Sequence, residues 1–83
     1  MTQNQNENAL KSPEMSQLEE EILTFRAEQA LLQKRIKTLL LSENPEQGLT
    51  YHEEIFRMQQ DKLRMDTEIQ IREVKLRRLK ATW

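Results

Sequence analysis

Met15, Leu18, Ile22, Phe25, Gln29, Leu32, Ile36 and Leu39 follow one another in alternating steps of three and four, the a/d spacing of a heptad repeat. On a helix these positions form one narrow stripe, and all but Gln29 are apolar. Such a stripe needs a second helix lying along it. The chain supplies a second run of the same spacing: Ile55, Met58, Lys62, Met65, Ile69, Arg72, Leu76, Leu79 and Trp83, interrupted by Lys62 and Arg72.

Between the two runs stands Ser42-Glu43-Asn44-Pro45-Glu46-Gln47-Gly48-Leu49. Carrying one helix through it would cost roughly 3 kcal/mol for the proline and about 1 for the glycine, and a residue before proline is pushed toward extended geometry. The chain is therefore expected to turn over residues 42–49. Ser12-Pro13-Glu14 predicts a helix start, with a hydroxyl to cap free amides and a proline at the first helical position, so the first helix should run over about residues 13–41. Thr50 and Glu53 have the spacing of a capping box, and the second helix should run over about residues 50–81. Residues 1–11, MTQNQNENALK, offer almost nothing to bury and read as a disordered tail ahead of a helical hairpin over residues 12–83.

A short connection between two long helices makes them antiparallel neighbours. Charge agrees. Glu19, Glu20 and Glu21 open the first helix and Lys34, Arg35 and Lys37 close it; Glu53 and Glu54 open the second, which ends with Arg72, Lys75, Arg77, Arg78 and Lys80. Antiparallel pairing sets each acidic end beside a basic one, and each helix's charges suit its own dipole. Counting outward from the loop sets Ile36 against Ile55, Phe25 beside Met65, Ile22 against Ile69 and Met15 against Leu76. The polar breaks Gln29 and Lys62 then fall at one level, where the amide is expected to accept from the ammonium and fix the register.

With 83 residues the chain allows one domain. A third of it is charged and it holds one glycine, a composition suited to long amphipathic helices rather than to sandwiches or barrels. A net charge of −1 gives no whole-molecule pull toward nucleic acid or anionic lipid. Without cysteine there is no disulfide framework or thiolate metal site. Its longest apolar run, Leu39-Leu40-Leu41, is far short of a membrane span, and Met1 to Asn8 lacks the basic and apolar regions of a secretory signal. A cytoplasmic location is the expectation.

Two helices side by side bury only one flank of each. Ordering costs roughly 1.5 kcal/mol per residue against about 25 cal/mol per Å² of apolar burial, which leaves an isolated hairpin of this size near balance. Further burial is expected, and the wheel offers surface for it: Leu23, Ala27, Ala30 and Leu41 lie off the stripe of the first helix, and Phe56, Leu63, Ile71 and Val74 off that of the second. These eight are the candidate partner-binding residues, for a second copy or another helical protein. The bland alternative is a scatter of exposed apolar side chains, which is normal.

Enzyme chemistry lacks its parts. The one histidine, His52, has no second histidine at metal-protease spacing, the acid pairs have no enclosing pocket, and the one glycine cannot form a phosphate loop. No catalytic residue, cofactor, metal or small-molecule substrate is expected. The basic tail KLRRLKATW could describe a nucleic-acid or membrane-surface contact, but the same bases face Glu19 to Glu21 across a hairpin while Leu76, Leu79 and Trp83 continue the seam, which makes both partners secondary readings.

Pro45-Glu46-Gln47 followed by Tyr51 and a long second helix resembles the small co-chaperones of bacterial type III secretion needle subunits, over about residues 15–75. The resemblance implies a hairpin that joins a larger helical-repeat chaperone, the two together holding the needle protein soluble and unpolymerised in the cytosol; the second apolar face would then contact the larger chaperone. The chain departs from that pattern in its N-terminal tail and its basic C-terminus. The expectation is thus an all-α antiparallel two-helix coiled-coil hairpin, completed by oligomerisation or a helical partner. Its function is that of a non-enzymatic adaptor or co-chaperone. The alternatives are a homodimeric four-helix bundle, or a regulator using its basic end on nucleic acid or membrane.

Overall fold

A computed structural model describes residues 12–48 and 50–81. Helix α1 spans Pro13–Ser42, a 3-10 turn spans Pro45–Gln47, and helix α2 spans His52–Ala81. The two helices pack along each other as an antiparallel hairpin. Residues 1–11, Leu49 and the last seam residue, Trp83, lie outside the described residues, so the tail and the end of the seam stand as sequence expectations.

Each boundary has a local cause. Ser12 is extended (φ −69°, ψ 156°), and its hydroxyl accepts from the Met15 N–H at 3.1 Å while Pro13 opens the helix, satisfying one of the amides a helix start leaves free. Helix α1 stops where Glu43 becomes extended (φ −66°, ψ 140°) ahead of Asn44 and Pro45. Gly48 ends the 3-10 turn at φ 73°, a left-handed conformation that glycine adopts without a side-chain penalty.

The start of α2 corrects the capping-box expectation. Its first i→i−4 bond runs from the Ile55 N–H to the Tyr51 carbonyl at 2.9 Å, so Tyr51 rather than Thr50 occupies the cap. The Tyr51 N–H donates to Glu43 Oε2 at 3.0 Å. The service expected of Glu53 is performed instead by a carboxylate from the end of α1, which ties the two helix ends to each other across the turn.

The core is the line where the heptad stripes meet. Met15, Leu18, Ile22 and Ile36 of α1 and Ile55 and Ile69 of α2 are buried, Ile36 most deeply at 3% exposure. Phe25, Gln29, Leu32 and Leu39, with Met58, Lys62, Met65, Arg72, Leu76 and Leu79, are half-buried. No seam residue among those described is exposed. Equally, no described side chain is fully enclosed, because two rods in contact cover only one side of each other.

Candidate protein-binding surface

Polar residues at the seam set how the two rods sit, and hence which side chains face outward. Gln29 and Lys62 meet at one level, but not as amide acceptor and ammonium donor. The Gln29 amide nitrogen donates to the Lys62 backbone carbonyl at 3.1 Å and to Asp66 Oδ1 at 2.5 Å, while the Lys62 ammonium turns to Gln33 Oε1. The reason is reach: the long lysine stem carries its charge out of the seam, and the exposed acceptor one turn along α1 takes it. Gln29 is left to satisfy backbone and carboxylate, both acceptors.

Nearer the open end Arg72 occupies a seam position by using its fork. Its Nε donates to Glu21 Oε1 at 2.8 Å and its Nη1 to Glu68 Oε1 at 2.6 Å and to the Glu68 carbonyl at 3.0 Å; the guanidinium carbon lies 4.7 Å from the Phe25 ring centroid. Planar donors aimed at carboxylates and a face laid on an aromatic ring let a cation sit where an apolar residue would otherwise pack. The Gln17 amide, then the Arg72 guanidinium, hold the Glu21 carboxyl below its usual range. Glu68 and then Glu21 push Arg72 further up. Of the basic set in the second half of α2, Arg72 is thus the one that reaches Glu21, helped by the charge of Lys75.

In an antiparallel pair the e positions of both helices border one flank and the g positions the other. With Met15 and Ile55 at a, the ion pair of Arg26 with Glu73, 2.5 Å, lies on the e flank, and the Glu21, Arg72 and Glu68 cluster on the g flank. The eight candidate partner-binding residues are all exposed, yet they do not share one face. Leu23, Ala30, Phe56 and Leu63, at b positions, border the e flank. Ile71, at c, borders the g flank; Ala27, Leu41 and Val74, at f, point away from both.

Two exposed leucines escaped the sequence reading. Leu40, at e, extends the first group, and Leu31, at c, extends the second. The heptad phase that locates the seam also assigns both, so the signal was there in the spacing. On the e flank Leu23 is 67% exposed, Phe56 62% and Leu63 58%, and Leu23 with Ile22 and Leu76 lines a shallow hollow beside Glu19 and Glu73. On the g flank Leu31, Leu32 and Met65 line another, ringed by Glu28, Arg35 and Asp61. The e flank takes large apolar side chains from both helices, Leu23 and Leu40 from α1 and Phe56 and Leu63 from α2, with charged residues set among them: Glu19 and Glu73 beside Leu23, and Glu53, Arg57 and Asp61 around Phe56.

The described residues contain no group of three or more His, Asp or Glu side chains placed to hold a metal ion, and no helix among them is long and apolar enough to cross a membrane. No family model, curated protein or solved structure matches the chain.

Proposed function

We propose that the hairpin is a non-enzymatic helical adaptor, of the co-chaperone kind that the likeness to needle-subunit co-chaperones implies, acting in the cytoplasm. It stabilises another helical protein by laying the e flank against it. The observation that carries this reading is the run Leu23, Ala30, Leu40, Phe56 and Leu63: four large apolar side chains and one small one, all exposed on one side of a hairpin in which no side chain among the described residues is fully enclosed. Solvated helices rarely repeat large apolar groups on a second face. The alanine lets a helix approach closely, while the leucines and phenylalanine provide the area that drives association.

The test is retention of a partner from the native host by immobilised wild-type chain and by a Phe56→Glu, Leu63→Glu variant, each with unchanged helix content. A helical protein held by the first and lost by the second, and made more soluble when co-expressed with the wild type, supports the reading. Equal retention by both, or none by either, contradicts it.

A further inference from the structure

We infer that the outer ridge of α2, the side of the helix turned away from the seam, rests on an anionic lipid surface. The ridge consists of the b, c and f positions from Phe56 to Ala81, and every one of them is exposed. Its charged residues are Arg57, Arg64, Arg77 and Arg78, and none is an acid. The acids of the same stretch, Asp61, Asp66, Glu68 and Glu73, stand at e and g positions instead. There they meet donors of the hairpin, Arg64, Gln29, Arg72 and Arg26 in that order. Among the described residues Arg57, Arg77 and Arg78 have no such partner, and Arg64 meets Asp61 at 3.3 Å with its side chain 71% exposed.

The net charge of −1 is a sum over the whole chain, and it conceals this sorting around the axis of α2. Helix α1 lies about 10 Å behind the ridge, and charges farther than about 8 Å are largely screened at physiological salt. A surface touching the ridge therefore meets the arginines and not the acids of α1. Glu53 stands on the same line a turn before Phe56, so the loop end is held least and the Arg77 and Arg78 end most.

What stands between the arginines selects the kind of anion. Phe56, Leu63, Ile71 and Val74 interleave with them along about 33 Å of helix, and they are 62%, 58%, 45% and 39% exposed. A nucleic acid answers arginine with phosphate but has no apolar layer to receive such a row of side chains. An acidic helix seats in a groove between two helices, whereas these residues form the crest farthest from α1. A bilayer meets both demands over a plane as long as the helix, because anionic headgroups lie directly above acyl chains. The arginine forks take the headgroup oxygens, and the apolar side chains between them enter the boundary layer. No helix among the described residues is long and apolar enough to cross a membrane, so the contact is with the surface alone.

The test floats the full chain with vesicles of phosphatidylcholine alone and with vesicles in which about a third of the lipid is phosphatidylserine. Binding to the second and not the first, weakened by added salt, is expected. Arg64→Glu with Arg78→Glu should cut it at least ~tenfold, since each arginine at such a surface is worth roughly a fivefold change. Ile71→Gln with Val74→Gln should weaken it severalfold at unchanged charge. Lys34→Glu, a reversal on the outer side of α1, should leave it as it was. All five positions are exposed, and circular dichroism checks that helix content is kept. Equal binding to both vesicles, binding to neither, or an arginine variant that binds like the wild type overturns the inference. So does a chain that binds a duplex oligonucleotide more tightly than the anionic vesicles with no loss in the glutamine variant, which would assign the ridge to nucleic acid. These four ridge residues lie off the e flank, so the adaptor reading is judged apart: a variant that leaves the vesicles but still retains a helical client supports both. A chain that ignores the vesicles and loses its client in the arginine variant assigns the ridge to the client instead.

Discussion

The side-chain amide of Gln29 on α1 bonds the backbone carbonyl of Lys62 on α2 at 3.1 Å, joining positions 33 residues apart in the chain. The same amide bonds Asp66 Oδ1 at 2.5 Å. A backbone carbonyl recurs at every level of α2, but a shift by one heptad would put Gln59 or Glu73 in place of Asp66, so the carboxylate is the contact that marks this register. Replacing Gln29 with leucine should preserve helix content and remove the preference for one register. Spin labels at the exposed positions Gln33 and Gln59 should then report a broadened separation, spread by about one heptad rise, ~10 Å. A single narrow distribution equal to that of the unsubstituted chain would show that apolar packing alone fixes the pairing.

The Glu21 carboxyl is held below its usual range by the Gln17 amide and by Arg72, and linkage gives the consequence a sign. A carboxyl whose folded value is depressed contributes stability above the ordinary glutamate value of about 4.3, and the contribution is lost as pH falls through the depressed folded value. Arg72, pushed upward, stays charged throughout. Thermal melts should therefore fall in midpoint as pH drops below about 4. Glu21→Gln should lower the midpoint at neutral pH and show a shallower acid-side fall than the wild type. Identical slopes would mean the cluster contributes nothing to folding.

Much of the architecture is legible in the chain because two signals are local and strong. The three-four spacing marks which residues enter the seam, and every described member of it is buried or half-buried; Pro45 and Gly48 break the helix where the turn occurs. What escaped is what depends on side-chain reach and on the assembled pair. Glu43 caps α2 from the other helix, which no spacing within residues 50–53 could indicate. The Lys62 ammonium bonds Gln33 rather than Gln29, a choice that depends on three-dimensional placement. The exposed apolar residues looked like one face because each helix was read on its own wheel. Only when the two are paired do Leu23 and Phe56 fall on one flank, with Ile71 on the other.

Exposure separates residues that the sequence makes look alike. Ile36 is 3% exposed and Leu41 is 80% exposed, though both are aliphatic and five residues apart on α1. Ile36→Ala should cost about 2–4 kcal/mol, for lost transfer energy and a seam gap. Leu41→Ala should stay within about 0.5 kcal/mol. Urea unfolding of both variants checks this, and equal costs would contradict the assigned seam.

Gly48 tests the turn separately. A Cβ there meets nothing within 4 Å, so Gly48→Ala carries only the backbone penalty of the left-handed conformation at φ 73°, about 1 kcal/mol. The loss should appear in the urea midpoint with no change in helix content. No loss at all would mean that the turn does not require this conformation.

The folded-back pairing of the two rods underlies every surface described above, and one distance tests it directly. Nitroxides on Glu20→Cys and Gln70→Cys, exposed and at nearly the same height on the two helices, are measured by pulsed dipolar EPR. Labelled chain is diluted in unlabelled chain so that only separations within one molecule are seen. A peak near ~20 Å is expected for adjacent helices. A separation near the ~75 Å of a single continuous helix would contradict the hairpin.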